Sequence, residues 1–194
     1  MTKYAIMDTE TTGLSSTALP VEVACVLTDE NFDISIDGKF TASVVINPFM
    51  QNSMESDILE KEKGNLIAAS RVHQLSNNTI KKGLAVRSLF EVDNDGEIVS
   101  IKVGDVRIDR DTVLIFHNAE YDMGILYNAA VGAGLKEQFL RFVKGVEVID
   151  TVGYFRTKRV GKKNSLGIIA KAMRISHEDV ESILKDESLA CPPD

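Results

Sequence analysis

The chain of 194 residues contains no tryptophan, only two cysteines and no long apolar run. Cys25, in an apolar stretch, and Cys191, near the C-terminus, are too few for a disulfide framework, which favours a reducing compartment. The longest apolar runs, such as residues 113–116, fall far short of the ~20 residues that a membrane span needs. Strand-like sequence follows Lys3 directly, without the pattern of a secretory signal. We therefore expect a cytoplasmic protein with no membrane partner.

Basic residues are also in deficit, because 22 lysines and arginines stand against 29 aspartates and glutamates, for a net charge of −7. This balance excludes a general nucleic-acid coat protein, which requires a basic face. It does not exclude an enzyme that binds metal ions with carboxylates and contacts a polyanion through one local basic patch. The 44% of hydrophobic and 26% of charged residues are typical of a soluble globular protein. The length predicts a single domain, residues 1–194.

Apolar stretches separated by turn residues predict five strands. They lie at residues 4–8, 21–27, 39–46, 113–116 and 146–150. A hairpin is predicted over residues 90–103, with its turn at 93–96. Helical spacing predicts helices after Asn118, from Ser165 and from Ser176, whereas residues 51–82 are polar with only weak helical patterning. Three early strands followed by alternating strands and helices predict an α/β domain with a mixed sheet.

Two carboxylates at the end of the first strand are the first candidates for chemistry. Asp8 and Glu10 are two residues apart, so in a strand both project to the same face. Adjacent carboxylates repel each other unless a proton or a cation lies between them, and oxygen ligands of this kind suit Mg²⁺ or Mn²⁺. The alternative is a solvated strand end. The turn that follows, residues 11–14, would keep a site at this position open.

Other polar residues have both structural and functional interpretations. Asp122 falls in the first turn of a predicted helix, where the helix dipole favours an anion. Asn118 is interpreted as the N-cap of that helix, His117 as a packed and hydrogen-bonded histidine, and Asp150 as a cap at a strand end. Asp186, inside the last predicted helix, needs solvent or a partner such as a metal ion.

A basic run follows the fifth predicted strand. Five cations lie within eight residues on a predicted loop, where they either bind phosphates or form a solvated surface. They are Arg156, Lys158, Arg159, Lys162 and Lys163.

Four short motifs contain most of these candidates. They read IMDTETTGL (6–14), FHNAEYDMGIL (116–126), VIDT (148–151) and NSLGIIAKAMRI (164–175). In this order and spacing they resemble the DEDD superfamily of 3′–5′ exonucleases, and in particular its DnaQ-like proofreading type. The resemblance implies a ribonuclease H-like α/β fold, with a five-stranded mixed sheet whose first three strands are antiparallel and with helices on its flanks.

The resemblance implies a two-metal hydrolysis of phosphodiester bonds, with Mg²⁺ or Mn²⁺ as cofactor. Asp8 would bridge two ions, Glu10 and Asp186 would hold the ion that activates water, and Asp122 would support the other. The substrate would be the 3′ end of a single-stranded nucleic acid, DNA in preference to RNA, and the candidate protein partners are a polymerase and a second copy of the chain. The implied substrate-binding residues are Thr11, Thr12, Gly13, Leu14, His117, Asn118, Lys158, Arg159, Lys162 and Lys163.

One motif position departs from the superfamily pattern. The segment aligned with its last histidine motif is ESILKDESLA (181–190), so Glu181 occupies the place of the general-base histidine. His177 lies one helical turn earlier on about the same face and is a candidate substitute. The departure leaves two hypotheses: an active exonuclease with an unusual base, or a catalytically weakened module that binds nucleic acid or a polymerase.

Overall fold

The computed structural model describes residues 2–32, 41–51 and 53–158, and of Thr157 and Lys158 only the backbone. The strands are β1 Lys3–Thr11, β2 Pro20–Thr28, β3 Thr41–Asn47, β4 Leu84–Ala85, β5 Phe90–Val92, β6 Ile98–Val103, β7 Val106–Ile108, β8 Thr112–Phe116 and β9 Val148–Asp150. The helices are α1 Ser56–His73, α2 Asn77–Lys81, α3 Ala119–Gly132, α4 Lys136–Val143 and α5 Thr151–Lys158, and Val86–Leu89 form a short 3₁₀ turn. The helices predicted from Ser165 and from Ser176 lie outside the described residues.

The main sheet is mixed and has the strand order β4-β3-β2-β1-β8-β9. β1 pairs antiparallel with β2, and β2 pairs antiparallel with β3, as predicted for the first three strands. β8 runs parallel to β1, and β9 runs parallel to β8. All five predicted strands are therefore present in one sheet, and the α/β class is confirmed.

A sixth strand adds to the five that were predicted. β4 has two residues and pairs parallel with the end of β3, through Ile46 with Leu84 and Asn47 with Ala85. A pair of residues is too short to show the period-two alternation by which a strand is recognised. Gly83 precedes β4, and a Cβ atom there would lie only 2.7 Å from the carbonyl carbon of Ile46. Glycine at this position therefore permits the close approach of the two backbones.

The predicted hairpin over residues 90–103 is confirmed as part of a second, three-stranded sheet. β5 and β6 pair antiparallel around a turn in which Gly96 has a φ of 81° and donates its N–H to the carbonyl of Asp93. β7 then continues from β6 as a further antiparallel strand. Ile101 and Ile108 of this small sheet are fully buried in the same core as α3 and α4.

The main sheet buries one face of β1 more deeply than the other. Ala5 and Met7 belong to the core that α3, α4 and the small sheet cover. The intervening residues Ile6 and Asp8 are exposed on the opposite face. Strand alternation thus directs the acidic residues of β1 away from the main core. Among the described residues, no helix combines the length and the hydropathy that crossing a bilayer requires.

Candidate active site

Asp8 and Glu10 project from the same face of β1 near its carboxyl end, as the sequence predicts. Asp8 is exposed and Glu10 is half-buried. On the neighbouring strand β2, Glu22 lies directly opposite Glu10 in the ladder. Partial burial, followed by the charges of Asp8 and Glu22, raises the pKa of Glu10 above its ordinary value. This edge of the sheet therefore concentrates negative charge that a cation would stabilise.

Asp122 approaches β1 from the first turn of α3, where the sequence predicts it. Its side chain is 4% exposed and accepts a hydrogen bond of 2.7 Å from the hydroxyl of Thr9. Burial, opposed by the Thr9 hydrogen bond and assisted by the charge of Asp8, raises the pKa of Asp122 to about 6. The charge of Asp8 therefore acts on the carboxyl of Asp122. Asp122 nevertheless contacts Thr9, whose side chain points to the sheet face opposite that of Asp8.

The described residues supply only part of a metal-binding set. Within residues 2–32, 41–51 and 53–158, no three histidine, cysteine or carboxylate side chains are close enough together to hold a metal ion. Asp8 and Glu10 do offer oxygen donors on one strand face, which is the donor chemistry that Mg²⁺ and Mn²⁺ prefer. Asp186, the fourth predicted carboxylate, lies outside the described residues.

A loop directly after β1 forms the rim of two cavities. We call residues 12–19 the Leu14 loop. The N–H of Thr12 donates to the carbonyl of Leu19 and the N–H of Leu19 donates to the hydroxyl of Thr12, which closes the loop at its base. Leu14 at its tip is 91% exposed and borders a cavity of about 630 Å³ on the α1 side and one of about 440 Å³ on the α3 side. Glu10 also lines the larger cavity, so the loop lies next to the carboxylates.

Glu62 of α1 holds the Leu14 loop from one side. Its carboxylate is fully buried and accepts hydrogen bonds from the hydroxyls of Thr12, Ser15 and Thr17, at 2.6, 2.7 and 2.7 Å. Asn65, one turn further along α1, donates a fourth at 3.3 Å. Burial by itself raises the pKa of Glu62, but the four hydrogen bonds outweigh burial and lower the pKa below its ordinary value. No sequence pattern indicates this residue, which occupies a run of alternating charges.

Two side chains of α3 hold the same loop from the other side. The hydroxyl of Tyr121 donates to the carbonyl of Gly13 at 2.8 Å and lies 2.7 Å from the hydroxyl of Thr11. The amide of Asn128 donates to the carbonyls of Ser16 and Ala18. Sequence reasoning missed both residues, although Tyr121 directly precedes Asp122 in a recognised motif. The turn after the carboxylates is therefore fixed by contacts from two helices.

The start of α3 differs from its predicted capping. Asn118 occupies the N-cap position, but its φ of 81° and ψ of 57° are left-handed, and its side chain forms no capping hydrogen bond. The prediction of a side-chain cap at Asn118 is therefore wrong, because a capping side chain requires an extended backbone. Asp150 does cap as predicted, since its carboxylate accepts the N–H of Val152 as well as that of Asn118. His117 is hydrogen-bonded through Nδ1 to the hydroxyl of Thr151 at 2.9 Å.

The remaining predicted site residues fall outside the described part of the chain, as does the side chain of Lys158. They are His177, Glu181, Asp186, Arg159, Lys162 and Lys163.

Comparison of the sequence with known proteins identifies one curated relative of interest. No protein-family model matches the sequence. The chain is 29% identical over 195 residues to DNA polymerase III subunit epsilon of Buchnera aphidicola subsp. Acyrthosiphon pisum (strain APS). The match covers 95% of this chain and 68% of that protein.

Solved structures of Escherichia coli exonuclease I share the fold. The complex with a dT13 oligonucleotide has a TM-score of 0.61 at 14% identity, over 92% of this chain and 37% of that one. The zinc-bound complex with single-stranded DNA has a TM-score of 0.62 at 13% identity, over 92% of this chain and 36% of that one. The chain thus spans little more than a third of the length of exonuclease I, and at this identity the likeness shows the fold, which is ribonuclease H-like.

The sequence likeness and the shared fold agree with the order of the motifs along the chain. Asp8 and Glu10 lie at the end of the first strand of the sheet, and Asp122 lies in the helix after the strand parallel to it. The relationship to the epsilon subunit extends over nearly the whole chain rather than over isolated motifs. The likeness to the epsilon subunit and the fold shared with exonuclease I therefore agree with the resemblance of these motifs to the DEDD superfamily of 3′–5′ exonucleases.

Proposed function

We propose that the protein is a metal-dependent 3′–5′ exonuclease that hydrolyses phosphodiester bonds at the 3′ end of a single-stranded nucleic acid. The observation that carries the proposal is that the charge of Asp8 acts on both Glu10 and Asp122, and that Glu10 lines an open cavity. Perturbed carboxylates that line a cleft are typical of catalytic sites. The fold shared with exonuclease I, by its name an exonuclease, supports the same class of reaction.

The carboxylates of the site are the proposed metal ligands. Asp8 and Glu10, together with Asp122 and Asp186, would hold two Mg²⁺ or Mn²⁺ ions. Burial and, after it, repulsion by Asp8 and Glu22 raise the pKa of Glu10, and a cation would relieve that repulsion, which supports this fit. Divalent ions bound there would supply an activated water and would neutralise charge on the attacking and leaving oxygens. A solved complex of exonuclease I contains zinc, so the same fold accommodates a divalent cation in that protein.

The Leu14 loop and its two cavities are the proposed binding site for the 3′-terminal nucleotides. The larger cavity is lined by the apolar side chains of Leu14 and Val72, against which a base would pack, and by Glu10, which would hold a metal ion next to the terminal phosphate. Its volume of about 630 Å³ is sufficient for a nucleotide. Exonuclease I has been solved with dT13, which supports single-stranded DNA as the substrate of this chain too. Cations at Lys158, Arg159, Lys162 and Lys163 would contact the phosphates of the strand.

Two features of the proposed function rest on the sequence and its likenesses and not on the described residues. The general base is either Glu181 or His177, because the histidine typical of the superfamily is absent at its position. A polymerase is a proposed partner, since the epsilon subunit to which this chain is similar belongs by name to DNA polymerase III. The substrate-positioning residues that the described structure supports are those of the Leu14 loop, to which Thr12 and Gly13 belong.

Digestion of 5′-labelled oligonucleotides tests the proposal. Single-stranded DNA and RNA are incubated with the full-length protein and Mg²⁺ or Mn²⁺, and the products are resolved on a sequencing gel. We expect a metal-dependent ladder that shortens from the 3′ end, faster on DNA. Asp8→Asn should slow it by more than about 100-fold, because a lost ligand weakens both metal binding and charge stabilisation. Asp105→Asn, an exposed acid in the turn between β6 and β7, is the matched control and should leave the rate unchanged.

Two further arms separate the open alternatives. Glu181→Gln and His177→Gln identify the base, since only the variant of the true base should flatten the pH dependence of the rate. If the wild-type protein binds the oligonucleotide but leaves it intact with either metal, the chain is a binding module and the proposed activity is wrong. If Asp8→Asn cleaves as fast as the wild type, the assigned site is wrong.

A further inference from the structure

We propose that Glu62 is the positioning residue that fixes the Leu14 loop in the conformation that binds the 3′-terminal nucleotide. The inference rests on the proposed function and assigns a role to a residue outside the catalytic motifs. Glu62 is on α1, about 50 residues along the chain from the loop, and the carboxylate is fully buried. It is therefore a contact of the fold rather than a group that touches substrate.

Hydrogen bonds from three positions of the Leu14 loop converge on the side chain of Glu62. One carboxylate oxygen accepts from Thr12 and Asn65, and the other accepts from Ser15 and Thr17. The three hydroxyls come from the beginning, the middle and the far side of the loop. Leu14 projects from the span between Thr12 and Ser15. A change in the position of this carboxylate would therefore displace the segment that carries Leu14.

The hydrogen-bonding chemistry of an ionised carboxylate explains why a glutamate occupies position 62. No lysine, arginine or histidine of the described part of the chain forms an ion pair with it. Burial of an unpaired charge is unfavourable, and an apolar residue of similar volume would often serve packing equally well. An ionised carboxylate, however, can only accept hydrogen bonds, so all three hydroxyls must donate to it. Such charge-assisted bonds are short and strong, which restricts the loop to one arrangement.

The close packing of the loop on α1 supports the same inference. A Cβ atom at Gly13 would lie 3.3 Å from the Cβ of Asn65. The side-chain amide of Asn65 in turn donates a hydrogen bond to Glu62. Leu14, Ser15 and Tyr121 line both cavities, so the loop forms the wall between them. The loop conformation therefore determines the shape of both cavities at once. A displaced loop should weaken binding of the terminal nucleotides more than it slows the chemical step.

A double-mutant cycle tests whether Glu62 acts through Leu14. The variants are Glu62→Gln, Leu14→Ala and the combination, in the full-length protein. Glu62→Gln keeps the shape of the side chain and removes its charge. Glu60→Gln is the matched control, because Glu60 lies on the same helix but is exposed and pairs with Lys63. KM and kcat are measured on 5′-labelled single-stranded DNA with Mg²⁺, and the Kd is measured by fluorescence anisotropy in EDTA. The free energy of unfolding in urea and the rates of amide hydrogen exchange are also measured for each variant.

We expect Glu62→Gln to raise KM and Kd about tenfold with little change in kcat, which is the size expected for one lost charge-assisted hydrogen bond. In the Leu14→Ala background the same substitution should change KM less than twofold, because the residue that it positions is already removed. Amide exchange should accelerate in residues 12–19 of Glu62→Gln. Glu60→Gln should match the wild type in every measurement.

Specific results would overturn the inference. Equal effects of Glu62→Gln with and without Leu14 would show that it acts independently of that residue, and unchanged exchange in residues 12–19 would show that it does not fix the loop. A wild-type protein that binds but does not cleave the oligonucleotide would refute the proposed activity alone, since the Kd cycle and the exchange still test Glu62. A wild-type protein that neither binds nor cleaves would refute both.

Discussion

Asp122 is the residue in which folding and proposed catalysis are most clearly opposed. Its carboxyl is buried on α3, one hydrogen bond from Thr9 and within the field of Asp8. Its pKa rises from an ordinary 3.8 to about 6, so the folded chain binds this proton more tightly than the unfolded chain. The ionised form that a metal site requires is therefore unfavourable for the metal-free fold.

The pH dependence of stability follows from the direction of this shift. Between pH 3.8 and about 6, the folded chain retains a proton that the unfolded chain has lost. The contribution of Asp122 to the unfolding free energy therefore falls as the pH rises through this window, and it remains low above it. Asp122→Asn keeps an oxygen that can accept the Thr9 hydrogen bond but does not titrate. We expect it to stabilise the metal-free protein by about 1–3 kcal/mol at pH 7.5.

Urea unfolding in EDTA at pH 4 and pH 7.5 measures this effect. The gain from Asp122→Asn should be present at pH 7.5 and nearly absent at pH 4, where the folded wild type is protonated at Asp122. Asp105→Asn should change stability by less than about 0.5 kcal/mol at either pH, as is usual for surface substitutions. A loss of stability of the same size at both values would show that burial does not strain the Asp122 carboxylate.

The elements of the fold were predictable from sequence where the local pattern decides them. The alternation in β1 places Asp8 and Glu10 correctly on one face, because strand geometry alone sets the face to which residues two apart point. α1 was only weakly indicated, since its buried Glu62 interrupts the apolar face that would mark a helix. β4 and β7, with two and three residues, are too short to carry a period of their own, and β4 depends in addition on pairing with the distant strand β3.

Gly83, just before β4, and Gly64, within α1, should respond oppositely to alanine. A Cβ atom at Gly83 would come within 2.8 Å of the backbone of β3, whereas at Gly64, within α1, it would meet nothing within 4 Å. Gly83→Ala should therefore force β4 away from β3 and destabilise the protein by about 1–3 kcal/mol. Gly64→Ala should stabilise it by about 0.5–1 kcal/mol, because alanine loses less backbone entropy in a helix.

Urea midpoints of the two variants check this prediction, with the m-value as a test that the transition is otherwise unchanged. Gly64→Ala serves as the internal control for the methyl group itself. If both variants shift in the same direction, the close contact between Gly83 and β3 does not constrain the sheet edge.

At the scale of the whole molecule, contacts between distant parts of the chain decided what sequence reasoning missed. The motifs pointed to the resemblance and to the carboxylates, since those residues are recognisable from the local sequence. The support of the Leu14 loop was not predictable, because Glu62 lies 45 to 50 residues from the hydroxyls that it binds and Tyr121 lies 108 residues from Gly13. Asn118 shows the same limit, since an N-cap pattern does not reveal a left-handed backbone.

The net charge of −7 makes the binding of a polyanion depend on a few local cations. The basic run between residues 156 and 163 is the proposed source of phosphate contacts. Each lysine that contacts a single strand releases condensed counterions, so its loss should reduce the slope of log Kd against log salt by about 0.7. We expect Lys162→Gln combined with Lys163→Gln to reduce this slope by about 1.4 and to weaken binding of DNA and RNA alike.

Anisotropy titrations of a labelled oligonucleotide in EDTA over a series of salt concentrations measure the slope. Lys136→Gln combined with Lys144→Gln removes the same charge from the first residue and the C-cap of α4, whose Phe139 and Phe142 pack into the core on the sheet face opposite Asp8. A nonspecific effect of net charge would shift both double variants equally, whereas a local contact changes only the first. Equal slopes in all three proteins would therefore show that the basic run does not contact phosphates, and that the strand is bound mainly through the cavities beside the Leu14 loop.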